Sequence, residues 1–315
     1  QSIELGVGWH IIGAPLDLYD PFSENLFPGG NPNDWTIFTS EGDFNDIDVH
    51  FSQGYYLALQ SPQELFASGI PVTSANIEDS YISLSKGWNL ISHTLMSEYS
   101  KYDILVNFQG NDYSWHDAAG YGYLCSYIYE WDQNKYESTT TLSPWGGYWF
   151  HTPNDGVQLK LSPQIESETR EKSTMDNQKI VLRIEDDLGV ASSDEVMIVS
   201  SDLYSNEFKY GKDAYNLETF VNPQYIDMYI EKDDWMGDQD INGVIAETSH
   251  FSTIGHSNDE LTKIYHIKTN YSDVNGLVNL TWELDSDIDH DVSIIINNIK
   301  IKLANFCSLL KNQCI

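Results

Sequence analysis

Short runs in which apolar and polar residues alternate recur along the whole chain. The alternation is clear in residues 126–131, Ser-Tyr-Ile-Tyr-Glu-Trp, and the turn-forming residues that follow it are typical of a β-hairpin. One helix is predicted to begin near Ser61, because Ser61-Pro62-Gln63-Glu64 combines a capping residue, a proline at the first helical position and a glutamate at the third. The pattern therefore predicts an all-β protein with little helix.

Two sequence anchors occur twice in the first half of the chain. Gly8-Trp9-His10-Ile11-Ile12-Gly13 resembles Gly87-Trp88-Asn89-Leu90-Ile91-Ser92, which lies 79 residues later. Gln53-Gly54-Tyr55-Tyr56-Leu57 resembles Gly146-Gly147-Tyr148-Trp149-Phe150, with an offset of 93 residues. The larger second offset indicates a longer middle section in the second copy, which we assign to the Tyr- and Gly-rich stretch 107–123. The anchors predict two related β modules, 1–78 and 79–161.

The second half of the chain lacks these anchors. Residues 162–178 are polar and charged without a hydrophobic period, which is typical of a linker. Several short strand-like runs separated by turn residues follow, and they predict a β-sandwich over 179–304 with a C-terminal tail at 305–315.

The charge of the chain excludes two classes of partner. With 48 acidic and 16 basic residues its net charge is -32, whereas nucleic acids and anionic membranes both require a basic surface. No apolar run approaches the ~20 residues that span a bilayer. The chain begins at Gln1 and not at Met, which we interpret as the product of a cleaved secretion signal. We therefore expect an extracellular or cell-surface protein.

Motifs that would carry catalysis do not occur in the sequence. The nine histidines are dispersed, and there is no His-Glu-x-x-His helix, Gly-x-Ser-x-Gly elbow or phosphate loop. Carboxylate pairs are unavoidable among 48 acidic residues, and nothing selects one pair for glycoside hydrolysis. Cys125, Cys307 and Cys314 are too few for a disulfide scaffold or a zinc site, and Cys125 is expected to be a buried thiol. The sequence predicts that the protein is not an enzyme.

Two acidic segments are candidate calcium sites, and calcium is the one cofactor that the sequence suggests. Residues 238–243 match the first half of a calcium loop, with Asp238, Asp240 and Asn242 as ligands, although Ser249 replaces the glutamate expected at the twelfth position. A solvated acidic turn is the alternative. In residues 285–291 the carboxylates lie on one side of an extended segment, where without a cation they would repel one another. The candidate ligands there are Asp285, Asp287 and Asp289.

Aromatic residues in the insert of the second module are candidates for an exposed ligand surface. They are Tyr113, Trp115, Tyr121 and Tyr123. Trp9, Trp88 and Trp149 occupy repeated strand positions and are expected in the core. An exposed group of tyrosines and a tryptophan could stack against sugar rings, so carbohydrate binding is one function that the sequence predicts.

The repeated anchors resemble a family of small β modules in secreted bacterial surface proteins, in which a Gly-Trp-Asn-Leu-Ile strand precedes a Gly-Tyr-Trp strand. The region from 179 to about 300 resembles the β-sandwich near the C-terminus of proteins exported by the type-nine secretion route, through Lys179–Ile184, Tyr225–Tyr229 and Val278–Trp282. Residues 305–315 depart from that sorting pattern because they lack its Gly- and Lys-rich finish. The resemblance implies attachment, spacing or display without an enzymatic activity.

Two functions are therefore expected. The first is a structural or surface-display protein, such as a subunit of an extracellular filament or layer. It would contact copies of itself or other surface proteins through β-strands, with Val292–Ile296 and the tail to Ile315 as the contact segments. The second is a carbohydrate-binding, adhesive set of modules.

Overall fold

The computed structural model is mostly β. It describes residues 1–73, 81–132, 134–161, 178–188, 191, 193–200, 206–210, 212–217, 224–256, 264–272, 278–284, 293–296, 299–302 and 307–311. The chain divides into two compact units, unit 1 (Gln1–Thr169) and unit 2 (Arg170–Ile315). The only α-helix of the described residues is α1, Trp115–Gly120, and no helix among them is long and apolar enough to cross a membrane. The all-β prediction is confirmed.

Residues 1–73, which we term repeat 1, form three small antiparallel sheets. The sheets pair β1 with β6, β2 with β5 and β4, and β3 with β7. The strands are β1 (Ser2–Leu5), β2 (Gly8–Gly13), β3 (Asp17–Leu18), β4 (Trp35–Phe38), β5 (Gly54–Leu59), β6 (Gln63–Phe66) and β7 (Gly69–Ile70). A core that includes Ile37, Leu57 and Leu65, all fully buried, holds these sheets together.

Residues 81–161, which we term repeat 2, form two four-stranded sheets and a short strand pair. The sheet orders are β12-β11-β17-β8 and β14-β13-β16-β9, and β10 pairs with β15. The strands are β8 (Ile82–Leu84), β9 (Gly87–Ser92), β10 (Tyr99–Ser100), β11 (Leu105–Phe108), β12 (Asn111–Ser114), β13 (Ile128–Asp132), β14 (Lys135–Thr139), β15 (Thr141–Leu142), β16 (Gly147–Thr152) and β17 (Val157–Lys160).

The anchor strands of the two repeats pair in the same register. In repeat 1, β2 lies antiparallel to β5, with Gly13 opposite Gly54. In repeat 2, β9 lies antiparallel to β16, with Ser92 opposite Gly147. The offset of 79 residues seen in the sequence relates β2 to β9, and the offset of 93 residues relates β5 to β16. The repeated anchors therefore occupy equivalent structural positions.

The two repeats contact each other through equivalent residues. The backbone N–H of Gly13 donates to the carbonyl of Trp145, and the N–H of Ser92 donates to the carbonyl of Ser52, each at 3.0 Å. Both acceptor residues adopt the left-handed conformation, with φ of 69° at Trp145 and 68° at Ser52. Because each repeat gives the other the same contact, the packing has the reciprocal form of a symmetric dimer interface.

The helix predicted near Ser61 is wrong. Residues Gln63–Phe66 form β6 and pair antiparallel with β1. The hydroxyl of Ser61 donates to the carboxylate of Asp34 at 2.9 Å instead of capping a helix. Leu65 is fully buried between exposed neighbours, which is the alternation of a strand. Strand pairing with the distant β1 overrides the local capping signal.

Unit 2 contains one large sheet and a hairpin. The sheet order is β23-β21-β22-β19-β18-β24-β27, β20 pairs with β22 off this path, and β25 pairs with β26. The strands are β18 (Gln178–Asp186), β19 (Asp194–Ser200), β20 (Ala214–Tyr215), β21 (Tyr225–Glu231), β22 (His250–His256), β23 (His266–Ser272), β24 (Val278–Leu284), β25 (Ser293–Ile296), β26 (Ile299–Lys302) and β27 (Cys307–Lys311).

The described parts of the two segments expected to contact another subunit pair within the chain. Ser293–Ile296 forms a hairpin with Ile299–Lys302. Cys307–Lys311 of the expected tail adds to the edge of the large sheet beside β24. The backbone groups of these two segments are therefore engaged on the sides that face β26 and β24.

Candidate functional site

A hairpin and a capped helix position the tyrosines of the repeat 2 insert. β11 and β12 are joined by a two-residue turn in which Gln109 and Gly110 have φ of 52° and 81°, as in a type I′ hairpin. The helix α1 follows directly. Its N-cap Ser114 accepts a hydrogen bond from the N–H of Asp117 and donates to that carboxylate at 2.6 Å. Tyr113 is thereby fixed at the end of a strand next to a short helix.

The loop after α1 is fixed by backbone hydrogen bonds. The N–H groups of Tyr121 and Tyr123 donate to the carbonyls of Asp117 and Ala118, at 2.8 and 2.9 Å. Gly122 has a φ of 73°, the left-handed conformation that glycine supplies after a helix. The hydroxyl of Thr152 donates to the Tyr123 carbonyl at 2.7 Å. Both tyrosines are therefore held by the scaffold.

Three of the four predicted aromatic ligand residues come together as one surface, which we term the tyrosine cluster (Tyr113, Tyr121 and Tyr123). Their ring centroids lie 5.1 to 5.8 Å apart. Tyr121 is 53% exposed, and the other two are partly buried against the core of repeat 2. A hydrogen bond with the Tyr113 phenol raises the pKa of Tyr123. The cluster presents aromatic rings and hydroxyl groups together.

Trp115 does not belong to this surface, and its assignment to an exposed ligand surface is wrong. Its side chain is only 2% exposed and meets Phe150 edge to face, with ring centroids 5.9 Å apart. Trp115 occupies the first position of α1, and the helix turns this side chain into the core of repeat 2. Trp149 is buried as expected, whereas Trp9 and Trp88 are partly exposed.

The carboxylates nearest the tyrosines in sequence are held by other side chains. Asp112 accepts hydrogen bonds from Asn107 at 2.5 Å and from Lys160 at 2.7 Å, and these contacts lower its pKa. It precedes Tyr113 in β12 and so points to the opposite face of the strand. Asp117 caps the start of α1 through Ser114. Both carboxylates therefore have local structural roles.

The first candidate calcium segment forms a tight hairpin. Asp240 is buried, and its Oδ1 accepts hydrogen bonds from the N–H groups of Asn242 and Val244, each at 2.9 Å. Asp238 and Asn242 are exposed. Among the described residues, no three His, Cys, Asp or Glu side chains form a group that could hold a metal ion. Asp285, Asp287 and Asp289 lie outside the described residues, and calcium binding stays a prediction.

A buried polar segment in repeat 2 is not marked by any sequence motif. The side chains of Ser92, His93 and Thr94 are fully buried, and their hydroxyls and both imidazole nitrogens have no hydrogen-bond partner within the described residues. Burial lowers the pKa of His93 to about 4. The equivalent residues of repeat 1, Gly13-Ala14-Pro15, carry no polar side chain, so comparison of the two repeats could have singled out His93.

Unit 2 also buries ionisable groups. Asp213 is 2% exposed, and its carboxylate accepts hydrogen bonds from the N–H groups of Lys209 and Gly255, at 2.6 and 2.7 Å. Burial nevertheless raises its pKa to about 7. Burial and the adjacent carboxyl of Asp227 raise the pKa of Asp194 as well. These groups are bound by backbone donors, which is the pattern of structural carboxyls in a sheet.

Comparison with known protein families, with curated protein sequences and with solved structures finds no match to this chain.

Proposed function

We propose that this chain is a non-catalytic extracellular binding protein that attaches to carbohydrate through the tyrosine cluster. The observation that carries the proposal is the convergence of Tyr113, Tyr121 and Tyr123 on one accessible surface, with ring centroids within 5.8 Å of one another. These residues come from β12 and from the loop after α1, and both elements are rigidly held.

The chemistry of the cluster matches that of a sugar. A pyranose ring has an apolar C–H face that stacks on aromatic rings, and hydroxyls that exchange hydrogen bonds with polar side chains. Tyrosine combines an apolar ring with a hydroxyl that donates and accepts. Because the cluster is already ordered, binding would cost little side-chain entropy.

The surroundings of the cluster favour binding over bond cleavage. Glycoside hydrolysis uses two carboxyl groups on either side of the scissile bond, about 5–10 Å apart. Asp112 is neutralised by Lys160 on the opposite face of its strand, and Asp117 is occupied as a helix cap. The secreted-type composition and the resemblance to surface modules agree with a role in adhesion.

Replacing Tyr121 with alanine is expected to weaken binding to a retained polysaccharide about tenfold, the effect of losing one stacked ring. Affinity electrophoresis of the intact chain in gels that contain neutral or acidic polysaccharides would measure it. Tyr19→Ala is the matched control, because Tyr19 is 73% exposed and lies in repeat 1. No retardation by any polysaccharide, or equal loss in both variants, would contradict the proposal.

A structural role is the second candidate, and an edge strand of the large sheet in unit 2 favours it. β23 is the terminal strand of the large sheet of unit 2, and most of its residues are exposed, including Tyr271 at 53%. A strand of another molecule could extend the sheet there.

For this structural role we expect the native protein to form assemblies larger than one chain. Sedimentation velocity over a range of concentrations, together with electron microscopy of the native material, would detect them. A protein that sediments as a monomer at every concentration would contradict the structural role and leave the carbohydrate proposal standing.

A further inference from the structure

Three aromatic side chains of repeat 1 form a strip, which we term the aromatic strip (Trp9, Phe38 and Phe44). Trp9 lies in β2 and Phe38 in β4, the two strands that flank β5, and their ring centroids are 5.9 Å apart. Phe44 continues the strip at 6.1 Å from Phe38 and is 64% exposed. Trp9 and Phe38 are partly exposed. Contiguous apolar rings that are exposed or partly exposed indicate an interaction surface.

The strip ends in a depression that is strongly negative. Phe44 lines this depression together with four carboxylates, and no lysine or arginine lines it. The carboxylates are Glu41, Asp43, Asp46 and Asp48, and all four are exposed. An aromatic ring and several negative charges therefore face the same space.

Repeat 1 supplies no lysine or arginine to neutralise this charge. The first such residue in the sequence is Lys86, which lies beyond the repeat. The carboxylate residues of repeat 1 are Glu4, Asp17, Asp20, Glu24, Asp34, Glu41, Asp43, Asp46, Asp48 and Glu64. With a net charge of -32 for the chain, a partner of opposite charge would be attracted over a long range and concentrated at this surface.

We propose that the aromatic strip is a docking site for an arginine- and lysine-rich segment of a partner polypeptide. The guanidinium and ammonium groups pair with the four carboxylates, while the side-chain stems and the planar guanidinium lie on the rings of Phe44, Phe38 and Trp9. Charge complementarity selects this occupant, because the surface combines apolar rings with uncompensated negative charge.

The spacing of the carboxylates favours a polypeptide over a single cation. No three of the acidic or histidine side chains in residues 1–73 form a group that could hold one metal ion. Separate carboxylates along a depression match separate charges along a chain. The site lies in repeat 1 and takes a basic ligand, so it is independent of the carbohydrate site in repeat 2.

Fluorescence anisotropy of a labelled peptide of alternating Arg and Gly, titrated with the intact chain, tests the proposal. We expect saturable binding that weakens as salt is added, and no binding of the matching Glu-Gly peptide. Asp43→Asn combined with Asp46→Asn should weaken binding about tenfold, and Phe44→Ala about fivefold through loss of the ring contact.

The matched control is Glu4→Gln combined with Glu64→Gln. This double variant removes the same charge from the same repeat at two exposed residues that face each other across β1 and β6, away from the depression. It should bind the Arg-Gly peptide within about twofold of the unaltered chain.

Equal weakening in the control and in the Asp43/Asp46 variant would mean non-specific attraction to a negative protein, and the proposal would fail. Unchanged binding of the Arg-Gly peptide to the Phe44→Ala variant would show that the aromatic strip takes no part in binding, and the proposed site would fail. Binding of a neutral oligosaccharide or of Ca²⁺, in place of the Arg-Gly peptide, with loss in these same variants would also overturn the proposed partner.

Discussion

Acidification from about pH 7 to about pH 4 is expected to lower the free energy of unfolding of unit 1 by ~3 kcal/mol through His93 alone. Burial lowers the pKa of this imidazole from 6.5 to about 4. Above the unfolded pKa the ring is neutral in both states, and its contribution to stability is fully present. As the pH falls toward 4 only the unfolded chain takes up the proton, so the unfolded state becomes favoured.

His93→Leu should remove this part of the pH dependence. Leucine fills a similar volume without polar atoms, and it removes two buried nitrogens that have no hydrogen-bond partner among the described residues. His116→Leu is the matched control, because His116 is exposed on α1 in the same repeat. The expected result is a flatter profile for His93→Leu and an unchanged profile for His116→Leu.

Urea unfolding followed by tryptophan fluorescence is the suitable measurement, because seven of the nine tryptophans lie in residues 1–161. The unfolding of unit 2 has to be distinguished from that of unit 1. Its Asp213 has a pKa raised to about 7 by burial, so the contribution of Asp213 to stability is lost as the pH rises from about 4 toward 7. The prediction fails if unit 1 is equally stable at both pH values. It also fails if acidification destabilises the His93→Leu variant as much as the unaltered chain.

Gly13→Ala is expected to destabilise unit 1 by about 3 kcal/mol, the upper part of the range for overpacking a core. A Cβ at Gly13 would lie 1.9 Å from the Cβ of Ser92. Ser92 is the equivalent residue of repeat 2, so the two repeats meet here through the same position. Only one side chain fits between the strands, and Ser92 already supplies it.

Gly6→Ala is the control for this variant, because a Cβ there would have no heavy atom within 4 Å. Its φ lies outside the left-handed region, so alanine should be neutral or slightly stabilising. Urea denaturation of both variants, followed by tryptophan fluorescence, would give the difference. A Gly13→Ala variant as stable as Gly6→Ala would mean that the two repeats can move apart without loss of stability. That result would contradict their packing as one unit.

The positions of many strands could be predicted from the sequence because strand formation has a local signature. The repeated anchors Gly8–Gly13 and Gly87–Ser92 form β2 and β9 with those bounds. Residues 126–131 were predicted from their alternation and correspond to β13 with a shift of two residues at the start. The repeated glycine and tryptophan anchors likewise identified strand pairs that share one register.

The candidate site was predicted only in part. Tyr113, Tyr121 and Tyr123 were selected from their density in the insert, and they form one cluster. Trp115 has the same local composition around it but is buried, because α1 directs it inward. The sequence Ser114-Trp-His-Asp117 carries a helix-capping pattern that would have revealed α1. The face that a short helix buries still depends on its partners.

The sequence by itself determined that the chain is β-rich, that its first half repeats and that repeat 1 has no lysine or arginine. These properties follow from residue types and from spacing along one strand. Only the tertiary structure decided that Gln63–Phe66 is a strand, that Gly13 meets Ser92 and that Phe44 joins Trp9 through Phe38. Each of these depends on a partner far away in sequence, and the energies of pairing and burial are set by that partner and not by the local residues.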